Sequence, residues 1–380
     1  MPRVILDAGG QAPMLPVARE AFLAALDQGW ADPRRLYAEG RRARLLLDGA
    51  REAIAAVVGA RTDEVDLAPS HTAALHAAVR DVSLARRRVA SDVLVSAVER
   101  AAVLHAADFA AGRQGGRRLT VSVDRAGRVD DGEFTARLAA GGVALAALQH
   151  ANGEVGTLQP VETVHDAALR AGVPLLVDAG ASLGHVEVAP HWDLLAASAG
   201  DVGGPAGIGL LVTRARVRRT PDRPDDEDRW FPGGVSVPAA LAAAVALQAA
   251  AADRDAAGAE RRGLVDLLRR RVAVQVPDVE VVGDPKDRLP HVLTFSCLYV
   301  DGEALVTALD AHGFAVGSGS ACTSSALEPS HVLAAMGVLT HGNVRIALPR
   351  GSQHSDVERF CDVLPGVVAE LRERAGVTDL

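Results

Sequence analysis

Two apolar runs limit the folds open to this chain. VALAALQH (143–150) and VPLLVDAG (173–180) are almost devoid of charge, and an amphipathic helical pattern over 162–171 separates them. Strands so uniformly apolar must be covered on both faces. The rhythm extends outward. Amphipathic helices are predicted over 15–28 and 38–59. A strand at 63–70 leads into a helix from His71, a strand at 92–99 into a helix through Ala111, and 207–214 reads as a further strand. Such alternation predicts a mostly parallel sheet with helices on both sides.

A polar, proline-rich loop at 220–234 marks a domain edge. Beyond it come helical patterns at 238–252, 257–274, 302–312, 330–337 and 355–375. Strand patterns lie among them at 279–283, 291–298 and 343–349, so a smaller α+β domain is expected. The division is residues 15–235 for the large domain, and 1–14 with 236–380 for the small one with its connecting helices.

The 380 residues are 49% hydrophobic but only 3% aromatic, so Ala, Val and Leu must build the core. Net charge is −8 and the basic residues are scattered, which gives nucleic-acid binding no electrostatic support. The most apolar run, 238–252, is shorter than the ~20 residues a membrane span needs. It reads as a buried helix. The start, MPRVILDAGG, lacks the apolar core of a signal peptide. Cys297, Cys322 and Cys361 form no CxxC pair, which fits a reducing cytoplasm. His71 and His76 are five apart and do not share a helix face, and no cluster has metal-site spacing; no metal is expected.

One cysteine stands apart. GSGSACTSSALEPSH (317–331) places Cys322 in a small, polar loop, with Glu328, Pro329 and Ser330 at the start of a new helix. Cys297, in an apolar strand, and Cys361, on an amphipathic helix, read as core residues.

HANGEVGTLQP, VPLLVDAGASLGH, SAGDVGGPAGIG and GSGSACTSSALEPSHVLAAMG, in this order and spacing, resemble the cysteine desulfurases. These are fold-type I, class V aminotransferase-like enzymes that use pyridoxal phosphate. The resemblance runs from LDAGGQAPM to NVRIALPRG. It implies a transferase-like large domain with a mostly parallel central sheet plus a smaller α+β domain. In the family a lysine holds pyridoxal phosphate as a Schiff base and the ring acts as an electron sink. A carboxylate pairs with the ring nitrogen, a histidine stacks on the ring, and a loop cysteine accepts sulfur as a persulfide. By that resemblance Asp178 matches the ring-nitrogen carboxylate. Thr72 and Ser198 match phosphate-binding positions, Arg345 matches the substrate-carboxylate arginine, and Cys322 matches the persulfide cysteine. A helix start such as that at Thr72 suits a phosphate.

The departures are as informative. The family's Ser-x-His-Lys falls on Ser198, Ala199, Gly200 and Asp201, so an aspartate stands at the lysine position and cannot form an imine. The chain's one lysine, Lys286, lies in GDPKDR. The stacking histidine falls on Arg100, the second asparagine of Asn-Asn-Glu on Gly153, and the glutamine after Asp-Ala on Ala181. The threonine that a second subunit would supply falls on Val235. Arg100 and Asp201 would approach one ring from different sides, so they are expected to form a salt bridge across the pocket.

Each position has a plainer reading: Asp178 as a strand-end cap, Thr72 and Ser198 as helix or turn caps, Arg345 as a structural ion-pair residue. The functional expectation is a desulfurase-like pseudoenzyme without Schiff-base pyridoxal phosphate catalysis. It would act as a non-catalytic subunit or persulfide acceptor in sulfur transfer through Cys322. One alternative is an active desulfurase or transferase that holds the cofactor non-covalently; another is a binder of a different small anion. The resemblance implies a homodimer or a heterodimer with a desulfurase-family protein, and a sulfur-acceptor or iron–sulfur assembly partner.

Overall fold

The two apolar runs are neighbouring strands inside a seven-stranded sheet, buried at every position. The computed structural model describes residues 3–224, 231–318 and 329–377. Among these, the first half of the chain forms β1 (Val4–Ile5), α1 (Pro16–Gln28), α2 (Ala38–Val58), β2 (Val65–Ala68), α3 (His71–Arg86), β3 (Asp92–Ser96), α4 (Ala101–Gly112), β4 (Arg118–Val121), α5 (Asp131–Ala139), β5 (Val143–Gln149), α6 (Val161–Ala171) and β6 (Leu175–Asp178). The second half adds β7 (Leu194–Ser198), β8 (Gly209–Thr213), α7 (Val237–Ala252), α8 (Arg254–Gln275), β9 (Val279–Val282), β10 (Val292–Cys297), α9 (Gly302–Ala311), β11 (Phe314–Ala315), α10 (His331–Met336), β12 (Asn343–Ala347) and α11 (His354–Arg374).

The large sheet has the order β2-β8-β7-β6-β5-β3-β4. The pairs from β7 through β4 are parallel, and β8 alone is antiparallel to both its neighbours. One face packs on α1, α2, α6 and α7 through residues such as Ile54, Leu148, Val177 and Leu247; the other packs on α3 and α4. α7 is apolar on all sides and ten of its sixteen residues are buried. A helix of that kind belongs in a core, and it joins the large sheet. The second layer is an antiparallel sheet, β12-β10-β9, with α8, α9 and α11 packed around Phe295, Phe314 and Phe360. No helix among the described residues is long and apolar enough to cross a membrane.

β7 is an element the sequence pattern does not announce. Three of the five residues of its run LLAAS are alanine or serine, poor strand formers, and burial between β6 and β8 outweighs their propensity. β4 and α5 likewise lie outside the predicted elements. The N-terminal segment links the layers. β1 pairs with β11, Ala8 N donates to Ala347 O at 2.8 Å, and Ala12 N then donates to Gly200 O at 2.8 Å beside the large sheet.

Candidate active site

A cavity of about 480 Å³ opens at the carboxyl ends of β3, β5 and β6. Ligands of open α/β sheets bind at this end. Its wall includes Thr72, Arg100, Gly153, Asp178, Asp201 and Arg345, so five of these come together as the sequence pattern implied, along with the small residue at the family's second asparagine. Ser198 does not line it; its Oγ accepts from Gly200 N at 3.4 Å, as a turn cap does. Cys322 lies outside the described residues. Cys297 and Cys361 are buried. Burial pushes their thiols up to about 12 and about 11, so both are inert core residues.

Asp178 ends β6 and is 5% exposed. Both of its oxygens are engaged. His71 Nε2 lies 3.0 Å from Oδ1, which also accepts from Gly180 N at 2.8 Å. Arg100 Nε donates to Oδ2 at 3.2 Å. Burial alone would raise this carboxyl, but His71 and Arg100 hold it well below the usual carboxylate range. His71 had carried no signal in the sequence. It is placed by α3, whose cap, Ser70 Oγ, accepts from Ala73 N at 3.0 Å and so fixes where the helix starts. Gly180 makes room for it: a Cβ there would sit 2.1 Å from His71 Cε1.

The Arg100 guanidinium sits on Asp178, and toward Asp201, the partner the sequence suggested, it is one of the charges that lower the carboxyl. Asp201 lies in a single 3-10 turn, Gly200–Val202, just beyond β7. Burial pushes its carboxyl up to about 6, with Arg100, His71, Arg345 and the Gly10 N–H pulling the other way. The turn is built by close backbone approach: a Cβ on Gly200 would lie 2.6 Å from Gly10 O. By the resemblance, the family's histidine falls at this glycine.

Arg345, on β12, reaches the cavity but donates through Nη2 to Asp7 Oδ1 at 2.9 Å. Two further acids complete the wall. Burial pushes Glu99 up to about 8, although Gln149 N donates to it at 2.8 Å. Burial likewise raises Glu154 to about 7, against a hydrogen bond from Ser330 and the charge of Arg345. His331, at the start of α10, is held by the Glu99 carbonyl oxygen at 2.9 Å. Lys286 is exposed in the loop between β9 and β10, hydrogen-bonded through its backbone to Asp284, and takes no part in the cavity.

The comparisons with known proteins agree with this architecture. The aminotransferase class-V profile matches residues 4–360. A cysteine desulfurase of Cereibacter sphaeroides is 34% identical over 381 residues, covering 98% of this chain and 97% of that protein. The cysteine desulfurase IscS of Dictyoglomus turgidum is 31% identical, covering 97% and 95%. A NifS-like protein of known structure superposes with a TM-score of 0.88 at 23% identity, over 97% of this chain and all of that one. From the matched profile, the near full-length relatives and the cavity at the strand ends, the chain belongs to the class-V aminotransferases and is cysteine desulfurase-like.

Proposed function

We propose that this chain is a desulfurase-like protein that has exchanged Schiff-base cofactor chemistry for a passive role in sulfur transfer. The observation that carries the reading is Asp178. Both oxygens that would face a pyridinium nitrogen are engaged by the chain's own His71 and Arg100. The other donors point the same way. An acid, Asp201, stands where the imine-forming lysine would be, and a guanidinium stands where an imidazole would stack. The residues present do not fit covalently held pyridoxal phosphate.

What remains is the Cys322 loop, whose sequence matches the family's sulfur-accepting loop although the cofactor positions do not. On this reading Cys322 takes sulfur from a persulfide on a desulfurase-family partner. Its thiolate attacks the outer sulfur; a new S–S bond forms at Cys322, the donor's S–S bond breaks, and the donor leaves as a thiolate. No external oxidant is needed.

The test is a spectrum and an intact mass. Purified protein incubated with pyridoxal phosphate and cysteine is expected to show no Schiff-base absorbance and to release no sulfide. After mixing with an active, persulfide-loaded desulfurase it is expected to gain the mass of one sulfur atom, and Cys322→Ala to gain none. Sulfide release from cysteine by this chain alone would overturn the reading in favour of an active enzyme.

A further inference from the structure

A second cluster of titratable side chains lies on the flank of the large sheet, outside the cavity. His165 and Asp166 are neighbours in α6, and His191 lies in the segment leading into β7. One ligand atom from each falls within 4.8 Å of the other two. The two imidazoles meet edge to face, with centroids 6.0 Å apart. None of the three lines the cavity.

His165 supplies an independent observation. It is 5% exposed, and neither ring nitrogen has a hydrogen-bond partner. The nearest acid, Asp193, stands with Oδ2 at 3.8 Å from Nε2, beyond hydrogen-bond reach. Asp193 is already occupied: Oδ2 accepts from Leu175 N at 2.9 Å and Oδ1 from Arg216 Nε at 2.8 Å. A buried polar group left in this state costs free energy and calls for an explanation. The cluster has an open side. Asp166 is exposed and His191 is partly so, with its Nε2 3.7 Å from Glu162 Oε1 one turn earlier on α6.

We propose that His165, Asp166 and His191 bind a divalent transition-metal ion of the zinc class. Two imidazoles with one carboxylate suit zinc, nickel or copper rather than calcium or magnesium, which prefer all-oxygen shells. Three protein ligands leave a fourth position for water or for Glu162. Asp193 stands where a carboxylate behind a ligating imidazole belongs. The ligand atoms lie within 4.8 Å of one another, against ~3.3 Å between ligands of a tetrahedral zinc site, and the exposed Asp166 and partly exposed His191 are the two that would adjust to the ion. The ion ties α6 to the segment entering β7, the strand that leads to Asp201.

The experiment is a titration of the tag-free full chain with cobalt(II) and then zinc, in a Cys322→Ser background so that the loop thiol cannot compete. Expected is one equivalent of cobalt with visible ligand-field bands and no thiolate charge-transfer band, displaced by zinc. Zinc should also raise Tm by a few degrees. His191→Ala and Asp166→Asn, both on the solvent side, should each weaken binding at least ~10-fold, since even residues behind the ligands matter at that level. His165→Gln should abolish it. Absence of saturable binding, or unchanged affinity in both solvent-side variants, overturns the proposal.

Discussion

The ends of β6 and β7 each bring an aspartate to one cavity, and the two carboxyls are shifted in opposite directions. Asp178 accepts from Arg100 and Gly180, with His71 Nε2 3.0 Å from Oδ1, and its carboxyl is driven far down. Asp201 receives a backbone N–H from Gly10 and the pull of Arg100, His71 and Arg345, yet burial outweighs them and its carboxyl rises to about 6. Burial is common to both, so the difference comes from contact. A hydrogen-bonded guanidinium in contact lowers a buried carboxyl more than charges that act without such a contact. Within the cavity Arg100 contacts the residue that would otherwise meet a cofactor.

That contrast can be broken most directly at Asp178. Asp178→Ala leaves Arg100 without its anion and His71 without its contact, and should cost about 2 kcal/mol of unfolding free energy, less than the ~3–5 kcal/mol of a fully buried pair because Arg100 is 38% exposed. Urea unfolding measures it, and a loss below about 1 kcal/mol would mean the cluster is not a stabilising unit. The pH dependence follows the sign of the shift. The folded carboxyl is depressed, so its contribution is present above the ordinary aspartate value of about 3.9 and is lost as pH falls below it.

A smaller effect is expected at the glycine that seats His71. Gly180→Ala places a methyl on the imidazole and should cost about 1–3 kcal/mol, as overpacking does. In a His71→Ala background the same change should cost little. Equal costs in both backgrounds, read from a double-mutant cycle, would separate Gly180 from the cluster.

Asp201 should respond in the opposite sense to Asp178. Its folded carboxyl is raised above the unfolded value, so the folded state holds the proton more tightly, and stability falls as pH rises from about 4 to about 6. Asp201→Asn removes that decline: Tm should match the parent near pH 4 and exceed it by a few degrees near pH 7.5. A variant less stable at pH 7.5 would show that the ionised acid is needed. The smallest expected effect is that of Asp201→Lys alone. With Asp178 still engaged and Arg100, Gly153 and Ala181 unchanged, added pyridoxal phosphate should give little or no Schiff-base absorbance; strong absorbance would show that the lysine position by itself decides cofactor binding.

Much of this was open to a reader of the chain. The inner strands β5 and β6 announce themselves because a strand covered on both faces must be apolar throughout. Asp178, Asp201, Arg100 and Arg345 could be assigned to one pocket because motif order places them at strand ends. β7 was hidden by its alanines. His71 was hidden because its partner is a strand end reached only when α3 packs across the sheet. His165 and His191 were hidden for a similar reason, being separated by a helix, a strand and a loop that only the fold closes up.

The order of apolar runs and motifs, by itself, determined the layered α/β architecture, the family, and the acid at the lysine position. Periodicity and residue identity are properties of the chain that do not depend on distance. Which cation meets which carboxylate was decided only in three dimensions. Arg100 had two candidate anions, and only the fold sets its Nε on Asp178 Oδ2 at 3.2 Å. Short-range contacts of this kind, in a medium that screens poorly, depend on geometry that no spacing in the sequence encodes.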